Sequence, residues 1–129
     1  RYITSISSHP IRSNEVVVSL GLMDQDEVHK VYRSTDGGES WQNWSEGLPP
    51  LETFKIQYIP ESESGVLLSC VDGLYYRNSE MDSWEAVRGD IPRIAIRDFE
   101  FDLDLGLLYV ATYGNGLWQL ELSKDMLSK

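Results

Sequence analysis

The acidic side chains are where chemistry would first be sought in this sequence. Asp24, Asp26 and Glu27 crowd into one polar stretch, "GLMDQDE", and Asp72 and Asp90 stand in two further turn-like segments. Clustered carboxylates suit a hard cation such as Ca²⁺. Two carboxylates opposed across a cleft suit hydrolysis of a glycosidic bond. Neither pattern is completed. The acidic stretch lacks the spacing of a calcium loop with its distant glutamate, so a solvated acidic loop is the plainer reading, and nothing selects an opposed pair. Arg93 and Arg97, with Tyr113, are the side chains that would clamp a substrate carboxylate, but they are too few and unplaced to define such a site. His9 and His29, the only histidines, lie on unrelated segments. The single cysteine, Cys70, sits in the apolar run "GVLLSCV", where a buried, inert thiol is expected. No catalytic residue, metal site or cofactor is expected.

The composition narrows the partners. Eleven basic residues against twenty-one acidic ones give a net charge of -10, the reverse of the basic surface that nucleic acid selects. An anionic membrane surface would repel the chain as well. No apolar run approaches the length of a membrane span, so no membrane insertion is expected. One cysteine allows no internal disulfide. A length of 129 residues suits one domain or a part of a larger one. The absence of an initiating Met and of an apolar leader suggests a processed or excised piece.

The elements that must position these side chains come from a repeat. "SWQNWSEGLPP" at 40–50 matches "SWEAVRGDIPR" at 83–93 with a constant separation of 43 residues. Ahead of them, "ITSISSHP", "TFKIQYIP" and "AIRDFEFD" align Ile6 with Ile56 and Phe99, at separations of 50 and then 43 residues. The first repeat is therefore longer, and the extra residues fall around 21–27, between two runs that stay in register. An insertion that leaves both flanks in register is a loop. Each repeat reads as four short strands: the Ile-x-x-Ile type segment; an apolar run (16–20, 66–71, 107–112); an aromatic run (28–33, 74–77, 117–122); and a segment opening at Trp41 or Trp84. Val, Ile, Tyr and Trp fill these runs, and Gly, Pro, Asp, Asn and Ser separate them. Four strands repeated at this period predict an all-β fold of β-propeller blades rather than a sandwich. The blades span about 1–50, 51–93 and 94–122, two full and a third of three strands, with a tail at 123–129. The second strand of each is expected to be the best buried.

"RSTDGGESW" at 33–41 must reverse the chain between the third and fourth strands. Gly37 and Gly38 allow positive φ, the Asp36 carboxylate can accept the amides that follow it, and Trp41 is expected to pack under the turn. Ser34-x-Asp36-x-Gly38-x-Ser40-Trp41 resembles the Asp-box, or BNR repeat, of sialidases, sortilin-type receptor domains and xyloglucanase-like glycoside hydrolases. The final "LYVATYGNGLWQLEL" is similar to the closing blade of sortilin- and xyloglucanase-like propellers. The resemblance covers nearly the whole chain and implies that the Asp-box residues are structural, on a rim away from any active site. The second repeat departs from it: "RNSEMDSW" keeps Ser83 and Trp84 without Asp-x-Gly, so its turn must be held another way.

Three blades do not close a ring. Further blades upstream of Arg1, or copies of the chain, would have to complete it, and open strand edges would need covering. In a propeller the strand 2–3 loops and the connectors between blades share one face. That face would carry Asp24, Asp26, Glu27, Asp72, Arg93, Tyr113 and Asn115, although aromatic residues in this fold mostly pack. "LDLDLG" reads as a strand 1–2 turn, and Asn43-Trp44-Ser45 is an N-glycosylation acceptor pattern. The resemblance implies a secreted or surface-exposed, non-catalytic binding or structural module with a protein or glycan partner. Its alternative is the C-terminal blades of a secreted glycoside hydrolase, xyloglucanase- or sialidase-like, whose catalytic residues lie mostly upstream.

Overall fold

The computed structural model describes residues 2–21, 28–87 and 93–122. They form three antiparallel sheets with no helix among the described residues. The first sheet runs β1 (Ile3–Ser8), β2 (Val16–Leu20), β3 (Val31–Ser34), β4 (Gln42–Asn43). The second runs β5 (Thr53–Tyr58), β6 (Val66–Cys70), β7 (Gly73–Arg77), β8 (Glu85–Ala86), and the third β9 (Ile96–Asp102), β10 (Leu107–Thr112), β11 (Leu117–Glu121). In each sheet spatial order follows chain order, the meander that short turn-rich connections dictate. The predicted tail at 123–129 and the acidic insertion at 22–27 lie outside the described residues.

The second strand is the most buried of its sheet in the first two blades. Every residue of β6 is buried, as are the three central residues of β2. A strand with neighbours on both edges and a sheet against both faces needs a continuous apolar run, which "VLLSC" supplies. Cys70 is buried there, and burial pushes its thiol well above the ordinary range, so it is inert.

Two apolar layers hold the sheets together. Val17, Val31 and Trp44 of the first sheet meet Ile56, Tyr58, Leu68, Tyr75 and Trp84 of the second. Leu67, Leu74 and Ile59 of the second meet Ile96, Phe99, Leu108 and Val110 of the third. Alternate residues of β6 thus serve opposite layers, as the two-residue period of a strand requires. The innermost strands are also stitched by polar contacts. Ser5 Oγ donates to the Ile56 carbonyl (3.3 Å), and one repeat on, Lys55 Nζ donates to the Phe99 carbonyl and to Asp98 (both 2.8 Å).

Two predicted boundaries need correction. The third strand of the first sheet begins at Val31, not Val28, and the fourth strands are only two residues long. The cause is Ser45. Its buried hydroxyl accepts the amides of Lys30 and Val31 (2.9 Å each) and donates to the Val31 carbonyl. One side chain thereby takes over the ladder that a longer fourth strand would have made. The chain then turns at Gly47, with φ 87°, where an added Cβ would stand 2.6 Å from the Trp84 carbonyl oxygen.

Candidate functional site

The Asp-box residues come together as a turn. The Asp36 carboxylate accepts the Ser40 amide (2.9 Å) and both the Ser34 hydroxyl (2.7 Å) and the Ser40 hydroxyl, while Ser34 Oγ accepts the Gly38 amide (2.8 Å). These donors, the Ser40 hydroxyl first, hold the Asp36 carboxyl down at about 2. The turn lies beside the β1–β2 hairpin, with the Gly37 amide on the Asn14 carbonyl (2.9 Å), at the opposite end of the blade from the connectors. Trp41 lies against the turn: its indole N–H donates to the Gly38 carbonyl (3.1 Å) and its ring stands in contact range of Gly38, while its other face is exposed. In the second blade Asn78 replaces the missing Asp-x-Gly: its side-chain oxygen accepts the Glu80 amide (2.9 Å).

On the connector face two of the predicted residues, Arg93 and Asp72, meet. Asp24, Asp26 and Glu27 lie outside the described residues, as does Asp90. Arg93 reaches Asp72 (3.3 Å), which also accepts the Tyr75 hydroxyl (2.9 Å). Burial, and then that carboxylate, push the Tyr75 phenol up to about 12. Asn115 serves through its backbone: its amide donates to Thr112 Oγ1 and its carbonyl accepts the Trp118 indole N–H. Tyr113 is exposed, so it is not one of the packing aromatics expected of this fold. Among the described residues no group of three or more His, Cys, Asp or Glu is placed to hold a metal ion. His9 is structural. Its Nδ1 accepts the Ile11 and Arg12 amides, and its Nε2 faces the Glu63 carbonyl.

A different set of residues converges where the three inner strands meet. The register of each inner strand against its neighbour slips once. The slips fall between Ile3 and Ser5, between Thr53 and Lys55, and between Ile96 and Asp98 where the pairing jumps at Ala111 and Thr112. The unpaired residues are Thr4, Phe54 and Arg97, at equivalent repeat positions. A bulge re-aims its side chain out of the alternating pattern. Here all three line one cleft of about 570 Å³ with Tyr2, Ile3 and Glu52. The Arg97 guanidinium lies over the Phe54 ring at 4.6 Å and within 6.0 Å of the Tyr113 ring. The Tyr2 hydroxyl donates to Glu52 (3.3 Å), and the negative charge of Glu52 raises the Tyr2 phenol. Gly21 gives Tyr2 its place, because a Cβ there would run into the tyrosine ring.

The cleft combines an aromatic face, a guanidinium held by cation–π contact, a carboxylate and one phenol, with the Tyr113 ring within 6.0 Å of the Arg97 guanidinium. That set can stack on a ring and hydrogen-bond to hydroxyls around it. Around this cleft the sequence points to Arg97 and Tyr113 and not to Tyr2, Glu52 or Phe54. The repeat itself held the signal, since the spacings that align Ile6, Ile56 and Phe99 also align Thr4, Phe54 and Arg97.

No protein-family model matches the chain, and neither does any curated protein. Sixteen solved chains do match. One is the crystal structure of an ancestral GH74 enzyme, similar at 20% identity with a TM-score of 0.58 over 93% of this chain. This chain spans 20% of the length of that structure. At such identity the likeness shows the fold, and the chain is a run of β-propeller blades, the last with three described strands.

Proposed function

We propose that this chain is a section of a glycoside-hydrolase-like propeller, secreted or surface-exposed, that contributes substrate-contacting residues rather than the acid–base pair. The observation that carries the reading is the repeated bulge. Three equivalent positions on three blades leave the strand ladder to face one axial cleft, and two of them are a phenylalanine and an arginine stacked on it. The ligand class that fits is a neutral glycan chain. A pyranose lays its C–H face on Phe54 or Tyr113, and its hydroxyls pair with Arg97, Glu52 and Tyr2. The likeness to the GH74 structure supports this class over a protein partner. The carboxylates of the connector face support the division of labour, because Asp72 is engaged by Tyr75 and Arg93, and Glu52 by Tyr2. An acid–base pair would then come from blades elsewhere in the ring.

Affinity electrophoresis in gels containing a soluble β-glucan such as xyloglucan tests the reading. The chain is expected to be retarded, and Phe54→Ala and Arg97→Ala each to lose most of the retardation. Ile11→Ser, at the far end of the blade, is expected to change nothing. Equal mobility with and without glucan would overturn the proposal, as would variants retarded like the parent.

A further inference from the structure

Histidine is the side chain whose ordinary change of charge falls between about pH 5 and pH 8, and His9 is built into a turn in a way that requires it neutral. It follows the last residue of β1 and is 6% exposed. Its Nδ1 accepts the amides of Ile11 (3.0 Å) and Arg12 (2.9 Å), two and three residues further on. An imidazolium carries a proton on both nitrogens and accepts nothing, so this Nδ1 carries none. Nε2 then holds the ring proton and donates to the Glu63 carbonyl, in the β5–β6 turn of the second blade. The ring also stands edge-on to Tyr58 of that blade, with 4.8 Å between centroids. One imidazole thus holds its own turn and fastens it to the next blade.

The repeat shows what is particular to this turn. His9, Ile59 and Asp102 hold one position, opposite Glu15, Gly65 and Leu107. In the second blade Ser62 holds the turn: its hydroxyl donates to the Ile59 carbonyl (2.8 Å) and accepts the Gly65 amide (3.1 Å). In the third the Asp102 side chain accepts the Leu105 amide (3.2 Å). A hydroxyl does not titrate in this range, and a carboxyl oxygen accepts in either charge state. The imidazole alone loses its lone pair in mild acid.

We propose that His9 is an acid-operated latch between the first and second blades. One proton taken from solvent at Nδ1 turns the acceptor into a donor that faces two amide N–H groups, and the turn at 9–15 comes loose. The neighbouring charged and titratable groups do not make good the loss. The Glu15 carboxylate is engaged by Arg12 and Arg33 (3.4 Å each). Tyr58 offers a ring edge, Glu63 offers only its carbonyl, and the Glu61 and Glu63 residues are exposed. The loosened segment includes Asn14, whose carbonyl accepts the Gly37 amide (2.9 Å), so the Asp-box turn loosens with it. The inference does not depend on the glycan reading.

NMR of the isotope-labelled chain from about pH 8 to pH 5 tests it. At the upper end His9 is expected as the neutral Nε2–H tautomer. Towards the lower end the Ile11, Arg12 and Gly37 amides are expected to shift together with the His9 ring. Their hydrogen exchange, corrected for its intrinsic pH dependence, is expected to quicken on the order of tenfold. The Leu105 amide, held by Asp102, is expected to stay as it is. His9→Asp, which puts the third blade's residue into the first, is expected to keep the turn and lose the response. His29→Gln, which removes the other histidine, is expected to keep the response. Circular dichroism at the upper pH reports whether His9→Asp folds; if it does not, His9→Asn, which also offers an oxygen to both amides, takes its place. A His9 ring that takes up its proton while the Ile11 and Arg12 amides stay unmoved would overturn the latch. So would a ring that stays neutral throughout, an Nδ1–H tautomer at the upper pH, or an unchanged response in the His9 variant.

Discussion

At the scale of single residues, polar side chains do much of the work that strands do elsewhere. Asp36 ties together the β3–β4 turn, and the depression of its carboxyl to about 2 comes from hydroxyl and amide donors rather than from a cation. The sign follows from the linkage. The folded carboxyl titrates below its ordinary 3.8, so its contribution is complete above that value and is lost as pH falls towards about 2. Carbon-detected NMR titration should find Asp36 near 2, with the Gly38 and Ser40 amides shifting in the same range; a midpoint near the ordinary carboxylate value would deny the hydrogen-bonded turn. Ser45 makes a second residue-scale prediction. Ser45→Ala strips an acceptor from two buried amides and should cost about 2 kcal/mol or more in urea denaturation, given that an unsatisfied buried group costs about 1–3 kcal/mol.

At the scale of elements, position in the stack outweighs residue type. Trp41 and Trp84 occupy the same place in their blades, one before the residue that opens the short fourth strand. Among the described residues, Trp84 packs against a neighbouring blade and Trp41 does not. Trp84→Ala should cost about 3–5 kcal/mol, as large-to-small core changes do. Trp41→Ala, measured at concentrations where the chain is a monomer, should cost under about 1 kcal/mol. Equal costs would mean that the two sites are alike after all. The same contrast explains what the sequence made legible. The repeat separations gave the blades, the order of strands and the apolar second strand, because those follow from local pattern. The shortness of β4 was hidden because Ser45 reads as an ordinary loop serine. The bulges at Phe54 and Arg97 were hidden because a bulge is a property of two paired strands. The exposure of Trp41 was hidden because it depends on a neighbouring blade. The cleft was thus readable only in part, through Arg97.

At the scale of the whole molecule, the second blade holds the other two. It belongs to both apolar layers, and each of the others belongs to one. Stability in a repeat stack is shared through nearest-neighbour contacts, so native-state hydrogen exchange should be slowest in β6 and fastest along β11. Exchange as slow in β11 as in β6 would contradict this. The same stacking brings Thr4, Phe54 and Arg97 to one cleft, and the functional account rests on that convergence. The most direct test is an NMR titration of the chain with a soluble β-glucan oligosaccharide. The account predicts saturable shifts confined to the Arg97 side-chain N–H, the Phe54 and Tyr113 rings and the amides around Glu52, lost in Phe54→Ala. No shifts at millimolar oligosaccharide, or shifts clustered at the Asp-box end of the blades, would contradict it.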